Sequence, residues 1–333
     1  MEHGSPGHRF GEQGNMAKVA LRLMRSMVVV ALLDGAAQAA TPQSRSFVSG
    51  TGVDTNPCTQ LLPCRTFAAA LSLTVVGGEI YVLNSAEYGP ATINKAVTIT
   101  SEGAVAGVRA TSGAAITISA GASDAINLRG IDMDGTNSAS TGIQFTTGGS
   151  LSIQKSLIRN FAQAGINFAP TSKSTLFVFD TTLAQNVMNG VAISNSATAT
   201  LGRIAAFANG VGILATGANV SVTLSDVVAS NNSYGVGASA AAVMVRNAML
   251  TNNLIGISAD AGAVVRVGTR RSLATERGGK PRTEAKSRAT APTMSAATQP
   301  MALRPRRSRC NNNRRVVKRT APHGLQFALL VPH

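Results

Sequence analysis

The chain of 333 residues has no tryptophan, and no histidine lies between His8 and His323. The second absence excludes a Ser-His-Asp triad and any histidine-ligated metal from the body of the protein. There is no G-x-x-x-x-G-K-[ST] loop to cradle phosphates and no G-G-x-G-x-D calcium repeat. Aromatic residues make up only 4%, so a platform of exposed rings has few members to draw on. Charge of either sign is sparse until late in the chain. Residues 40–268 hold 11 basic and 10 acidic side chains, whereas residues 269–333 hold 15 and 2. The net charge of +15 has the look of a nucleic-acid binder. Its distribution confines that reading to the tail, and no specific nucleic acid is expected of the body.

No apolar run is long enough to span a bilayer. The longest opens near the N-terminus, in "MAKVALRLMRSMVVVALLDGAAQAA" from Met16. Lys18, Arg22 and Arg25 precede a short apolar stretch, Met27 to Leu33, and Ala37-Gln38-Ala39 is an A-x-A site. This predicts an export signal over 16–39, cut between Ala39 and Ala40, after a non-structural extension over 1–15. The other reading is an apolar N-terminal helix. Export implies a secreted, periplasmic or cell-surface protein with no transmembrane helix after signal removal. Cys58 and Cys64 lie in "NPCTQLLPCRTF". An oxidising compartment allows them a loop-closing disulfide, with two buried thiols as the alternative. Two cysteines without a histidine leave a zinc site incomplete.

What is present is a repeat. "LSIQKSLIRNFAQAG" from Leu151, "LFVFDTTLAQNVMNG" from Leu176, "ATLGRIAAFANGVG" from Ala199, "VTLSDVVASNNSYG" from Val222 and "VMVRNAMLTNNLIG" from Val243 stack in register, and "VRVG" from Val265 opens a sixth unit. Counted from each start, offsets zero and two are apolar throughout, as in Leu151/Ile153, Leu176/Val178 and Val243/Val245. That spacing of two belongs to a strand with one buried face. Offset seven is apolar again, and an asparagine then precedes a Gly-Ile or Gly-Val pair. Each unit therefore reads as a strand, a bend, a short strand, an Asn/Gly turn and a third strand. No such unit buries a core alone. Winding successive units into a coil does, each strand pairing in parallel with its equivalent one turn on. Asparagine tolerates the corners and can bond its stacked neighbour. The leucine-rich-repeat signature is missing.

These residues, over roughly 45–268, resemble a right-handed parallel β-helix of the pectate-lyase-like superfamily, and in particular a group of exported bacterial β-helix repeat proteins of unassigned function. The pattern "RSFVSGTGVDTNPCTQLLPCRTFAAALSLTVVGGEIYVL" carries the N-terminal part of the likeness. The resemblance implies the handedness and a short helix in "CRTFAAALS", with Thr66 at its N-cap. The expected fold is thus an all-β parallel solenoid over 40–268 with an N-terminal capping helix.

Offset four runs Lys155, Asp180, Arg203, Asp226, Asn247. The strand has to bend before it, turning these residues outward. They form either a ladder of ion pairs that fixes register or a row of sugar-binding groups. In "LRGIDMDGTN", Asp132 and Asp134 share one side of a strand, with Arg129 close by. They and Asn137 are candidates for catalysis or a hard cation, against a plain turn with acids on its rim. No catalytic motif of the superfamily matches here residue by residue. Phe177 stands at an outward offset as a candidate sugar contact, with Phe179 assigned to the opposite face. No cofactor or metal is expected, Ca2+ entering only if the protein is a lyase.

At Thr269 the repeat stops and arginine crowds in. If one base was lost after Gly268, the codon at 272, now a TCN serine, was originally NTC, aliphatic or Phe, at offset seven. The codon at 275, now threonine, was NAC at the asparagine slot. The tail over 269–333 is therefore read as a frameshifted, disordered continuation of the repeat, with a basic arm for an anionic surface as the rival. The functional expectation is an exported, non-catalytic β-solenoid that is structural or meets polysaccharide or cell-surface glycan. The alternatives are a polysaccharide lyase or hydrolase, or a frameshifted product without function.

Overall fold

A computed structural model describes Met1 and residues 41–268. The export signal, its cleavage point at Ala39/Ala40 and the 269–333 tail lie outside the described residues. Within them, alternating apolar positions give short strands everywhere but at one helix. The strands form three wholly parallel sheets of ten, eight and eight members. Successive strands visit the sheets in turn. Ser150–Gln154 lies in the ten-strand sheet, Leu157–Arg159 in a sheet of short strands, and Ala164–Phe168 in the third. The next coil repeats this with Ser174–Phe179, Thr182–Ala184 and Asn189–Ser194. Eight such coils follow one another from Thr74 to Asp260, and Val264–Gly268 begins a ninth.

The register is the one that the sequence columns demand. Leu151 pairs with Leu176 and Ile153 with Val178. The two columns continue through Ala199/Leu201, Val222/Leu224 and Val243/Val245 to Val265/Val267. Offset seven stacks Ile158, Leu183, Ala206, Ala229 and Leu250. Nearly all of these side chains are buried, each aliphatic one contributing about 1.5–3 kcal/mol. Phe145 and Phe168 stack inside with ring centroids 4.4 Å apart.

Two kinds of corner hold the coils. At offset four, Lys155, Asp180, Arg203, Asp226 and Asn247 all have φ between 49° and 55°, so the left-handed residue is the bend itself and its side chain leaves the core. At the second corner, Asn186, Asn209, Asn232 and Asn253 form a ladder. Each amide Nδ2 donates to the next Oδ1, at 3.0, 3.2 and 3.0 Å. Each of those oxygens also accepts the backbone N–H of the asparagine one coil back, at 2.9–3.0 Å. The corner thus satisfies its own buried polar groups without water.

The helix Phe67–Leu73 packs on the first coil, and the Thr66 side chain accepts the N–H of Ala69. Ahead of it, Cys58 and Cys64 are bonded to each other and fully buried. This settles the open choice at those residues in favour of the disulfide. At the other end, Met249, Leu254 and Ile255 of the eighth coil and Val267 of the strand that begins the ninth are exposed.

Candidate functional site

The corner at offset four separates the outer face of the ten-strand sheet from that of the short-strand sheet. Its column reads Ser101, Gly130, Lys155, Asp180, Arg203, Asp226, Asn247, one residue per coil. Among the charged members, Arg203 grips Asp180 with two hydrogen bonds, Nε to Oδ1 at 2.7 Å and the terminal nitrogen to Oδ2 at 2.9 Å. Those bonds hold the Asp180 carboxyl below the usual carboxylate range, and Asp180 in turn raises Arg203. Asn247 donates to Asp226. The Lys155 side chain makes no hydrogen bond or ion pair among the described residues. The column is therefore one tight pair with looser neighbours, not a uniform ladder.

The two aspartates of "IDMD" share the outer face of strand Ile131–Asp134. The arginine beside them is Arg159, not Arg129. Arg159 sits one coil on, with Nε 3.1 Å from Asp134 Oδ2 and a terminal nitrogen 3.9 Å from Asp132 Oδ1. Arg129 lies in the ten-strand sheet, where it bonds Glu102 at 3.1 Å and Gln154 at 2.8 Å. The bend at Gly130 swings it onto another face. Asn137 donates its backbone N–H to Asn160, and Asn160, rather than Asn137, bonds Asp134 at 3.1 Å. Burial opposes ionisation of Asp134. The Thr136 N–H, the Asn160 amide and Arg159 outweigh it and keep the carboxyl low. Asp132 goes the other way: burial pushes it up against the pull of Arg159, and its Oδ1 is buried without a hydrogen bond. Among the described residues no group of three or more His, Cys, Asp or Glu side chains could hold a metal ion. No described helix is long and apolar enough to cross a membrane.

Asp132, Lys155 and Asp180 meet in an open groove of about 490 Å³, with Val105 and Leu157 among its walls. Neither this groove nor Arg159 shows in the apolar columns or in the charged column at offset four. The signal was present, since Asp134 and Arg159 occupy the same offset in consecutive coils.

Across the corner, Phe177 is 37% exposed on the ten-strand sheet. Phe179 is on the same outer face, not the opposite one, because residues two apart on a strand point the same way. Gly202 lies opposite Phe179 on the next coil. A Cβ there would fall 2.8 Å from the Phe179 ring, so the glycine lets the ring lie flat across its neighbour. The Arg203 guanidinium stands over that ring, 5.6 Å from its centroid, a cation–π contact.

Three parallel sheets wound coil upon coil make this a parallel β-helix. Among solved structures, the chain is similar to pectate lyase Pel9A, with a TM-score of 0.42 and 11% identity over 70% of this chain and 80% of that one. It is also similar to a rhamnogalacturonan lyase, with a TM-score of 0.40 and 14% identity over 68% of this chain and 66% of that one. At these values the likeness gives no residue here a role. No protein-family model matches the chain, and no curated protein matches it.

Proposed function

We propose that the protein is an exported, non-catalytic β-solenoid that binds glycan on the outer face of its ten-strand sheet. The carrying observation is Phe177, exposed on that face, whereas the Phe179 ring two residues on is covered by Gly202 and Arg203. Sugar rings present apolar faces that lie against such an exposed ring. Around Phe177 the same face offers hydroxyl and amide groups from Asn127, Ser152 and Thr200 in register with it. The buried disulfide suits an oxidising, extracytoplasmic setting. The test is a glycan-array screen of the full chain followed by titration of the best oligosaccharide. Phe177→Ala should weaken binding about tenfold, some 1.4 kcal/mol. Equal binding by wild type and Phe177→Ala would remove the platform.

A second reading, a polysaccharide lyase or hydrolase, has one observation in its favour. Asp132, whose carboxyl burial pushes up, lines one groove with Lys155, and perturbed groups in clefts are where proton transfer is arranged. Assay on a panel of acidic polysaccharides with added Ca2+ separates the two. Turnover that the double variant Asp132→Ala/Asp134→Ala loses supports the enzyme. No turnover by the wild-type chain supports the binding protein.

A further inference from the structure

We propose that the groove at Gly130 is a binding site for a single neutral hexopyranose unit. From Lys155 to Asn247 the corner column is a ridge of outward side chains, and it ends at Gly130, since Ser101 one coil earlier is buried. Gly130 has none, and a Cβ there would fall 2.3 Å from the carbonyl oxygen of Ser101. Lys155 and Asp180 continue the ridge beyond Gly130, while Ala104 and Val105 wall the groove on the other side. The space of about 490 Å³ lies within the range of small-ligand sites.

Two groups in this groove lack a hydrogen-bond partner among the described residues. The Asp132 carboxylate accepts none: its Oδ1 is buried, 3.9 Å from Arg159, while the side chain as a whole is 30% exposed, which leaves Oδ2 to take a donor. The Lys155 ammonium makes no hydrogen bond or ion pair among the described residues, so it calls for an acceptor. Charge decides which ligand answers both. The acids at the site and beside it are Asp132, Asp134 and Asp180; the bases are Lys155, Arg159 and Arg203, in equal number. An anionic sugar would bring its carboxylate up to Asp132 and Asp180 with only Lys155 uncommitted. A cationic ligand would meet that same ammonium. Neighbouring hydroxyls of a neutral pyranose supply both halves, one donating to Asp132 and one accepting from Lys155. The less polar ring face then rests on Val105 and Leu157. The inference rests on the glycan reading only in taking the ligand to be a sugar; the site is a different one from Phe177.

The experiment is titration of the full chain, by ligand-observed NMR, with glucose, galactose, mannose and rhamnose, and with galacturonate as the charged counterpart. At least one neutral sugar should bind with Kd of about a millimolar, and galacturonate at least about tenfold more weakly. Asp132→Asn and Lys155→Met should each weaken the neutral sugar about tenfold. Lys155 is on the solvent side of its corner, so its variant tests the site even if Asp132→Asn fails to fold. Galacturonate binding as tightly as the best neutral sugar would overturn the proposal, as would neutral-sugar binding indifferent to Lys155→Met. If oligosaccharides bind through Phe177 and no monosaccharide does, this site falls and the glycan reading stands. If nothing binds, both fall.

Discussion

Replacing Asn209 by alanine tests how this solenoid holds its coils together. The Asn209 side chain is 5% exposed. Its Oδ1 accepts the backbone N–H and the side-chain amide of Asn186, both at 3.0 Å. Its Nδ2 donates to the carbonyls of Leu183 and Phe207 at 3.1 Å and to Asn232 Oδ1 at 3.2 Å. Alanine leaves the Asn186 N–H buried without an acceptor. That orphan costs about 1–3 kcal/mol, and each further bond lost about 0.5–1.5 kcal/mol net, less where a partner keeps another bond. Asn232 Oδ1 keeps the Asn209 N–H, and the Asn186 amide keeps the carbonyl of Ile158. The total expected is about 3 kcal/mol. Asn253 makes the same kinds of bond at the half-buried end of the ladder, where water can replace it, so Asn253→Ala should cost about 1 kcal/mol. Urea unfolding of the full chain, followed by circular dichroism, reads the difference. With a slope of about 1–3 kcal/mol per molar urea, Asn209→Ala should lower the midpoint by about 1 M or more. A loss under about 0.5 kcal/mol, the size of an ordinary surface change, would refute the reasoning. So would equal losses at Asn209 and Asn253.

Four further outcomes are expected. Ala208 is exposed and held at φ 55°, at a corner where other coils carry Asn160, Asn231 and Asn252. Ala208→Asn should stabilise by about 0.5–1 kcal/mol in the same urea assay, since asparagine tolerates the left-handed region better; a loss would show that the corner is set by something else. Asp134 is held low in the folded state, so its contribution is present above the unfolded carboxylate pKa and is lost as pH falls through the folded value. Asp132 is raised, so it opposes folding at neutral pH and that opposition fades as pH falls through its folded pKa. Melting at neutral pH should therefore find Asp134→Asn about 1 kcal/mol less stable and Asp132→Asn no less stable than wild type; the reverse order would contradict both assignments. Removing the Cys58–Cys64 bond, which closes a loop of sequence separation 6, should cost about 2 kcal/mol, read as a lower melting temperature for Cys58→Ser/Cys64→Ser; no change would mean that the first coil holds the loop unaided. Transcript sequencing across Gly268 tests the reading frame. A lost base makes offset seven aliphatic or Phe at 272, but it also makes Gly279 an NGG codon, for Gly, Arg or Trp, where Ile257 stands one coil earlier. One lost base therefore restores a coil only as far as 278, and an uninterrupted frame with no coil in the other would end the idea.

The amino-acid sequence alone determined the coil. Aliphatic residues two apart, renewed at intervals of 21–25 residues, have one way to be buried together, and every pairing from Leu151 to Val267 follows those columns. It also determined the bend, since Lys155, Asp180 and Arg203 continue an inward alternation that charge forbids. The handedness assumed in the sequence reading came from resemblance. What only the tertiary structure decided is which surface groups meet. Asp134 and Arg159 are 25 residues apart yet one coil apart in space, while Arg129, nearer in sequence, is turned away by the bend at Gly130. Burial repeats along the chain and can be read from it; a surface pair depends on how far each long side chain reaches across neighbouring coils. Phe179 is the instructive exception. Strand alternation puts it outward beside Phe177, against the expectation of the opposite face, whereas the ring's position over Gly202 and under Arg203 needed the neighbouring coil.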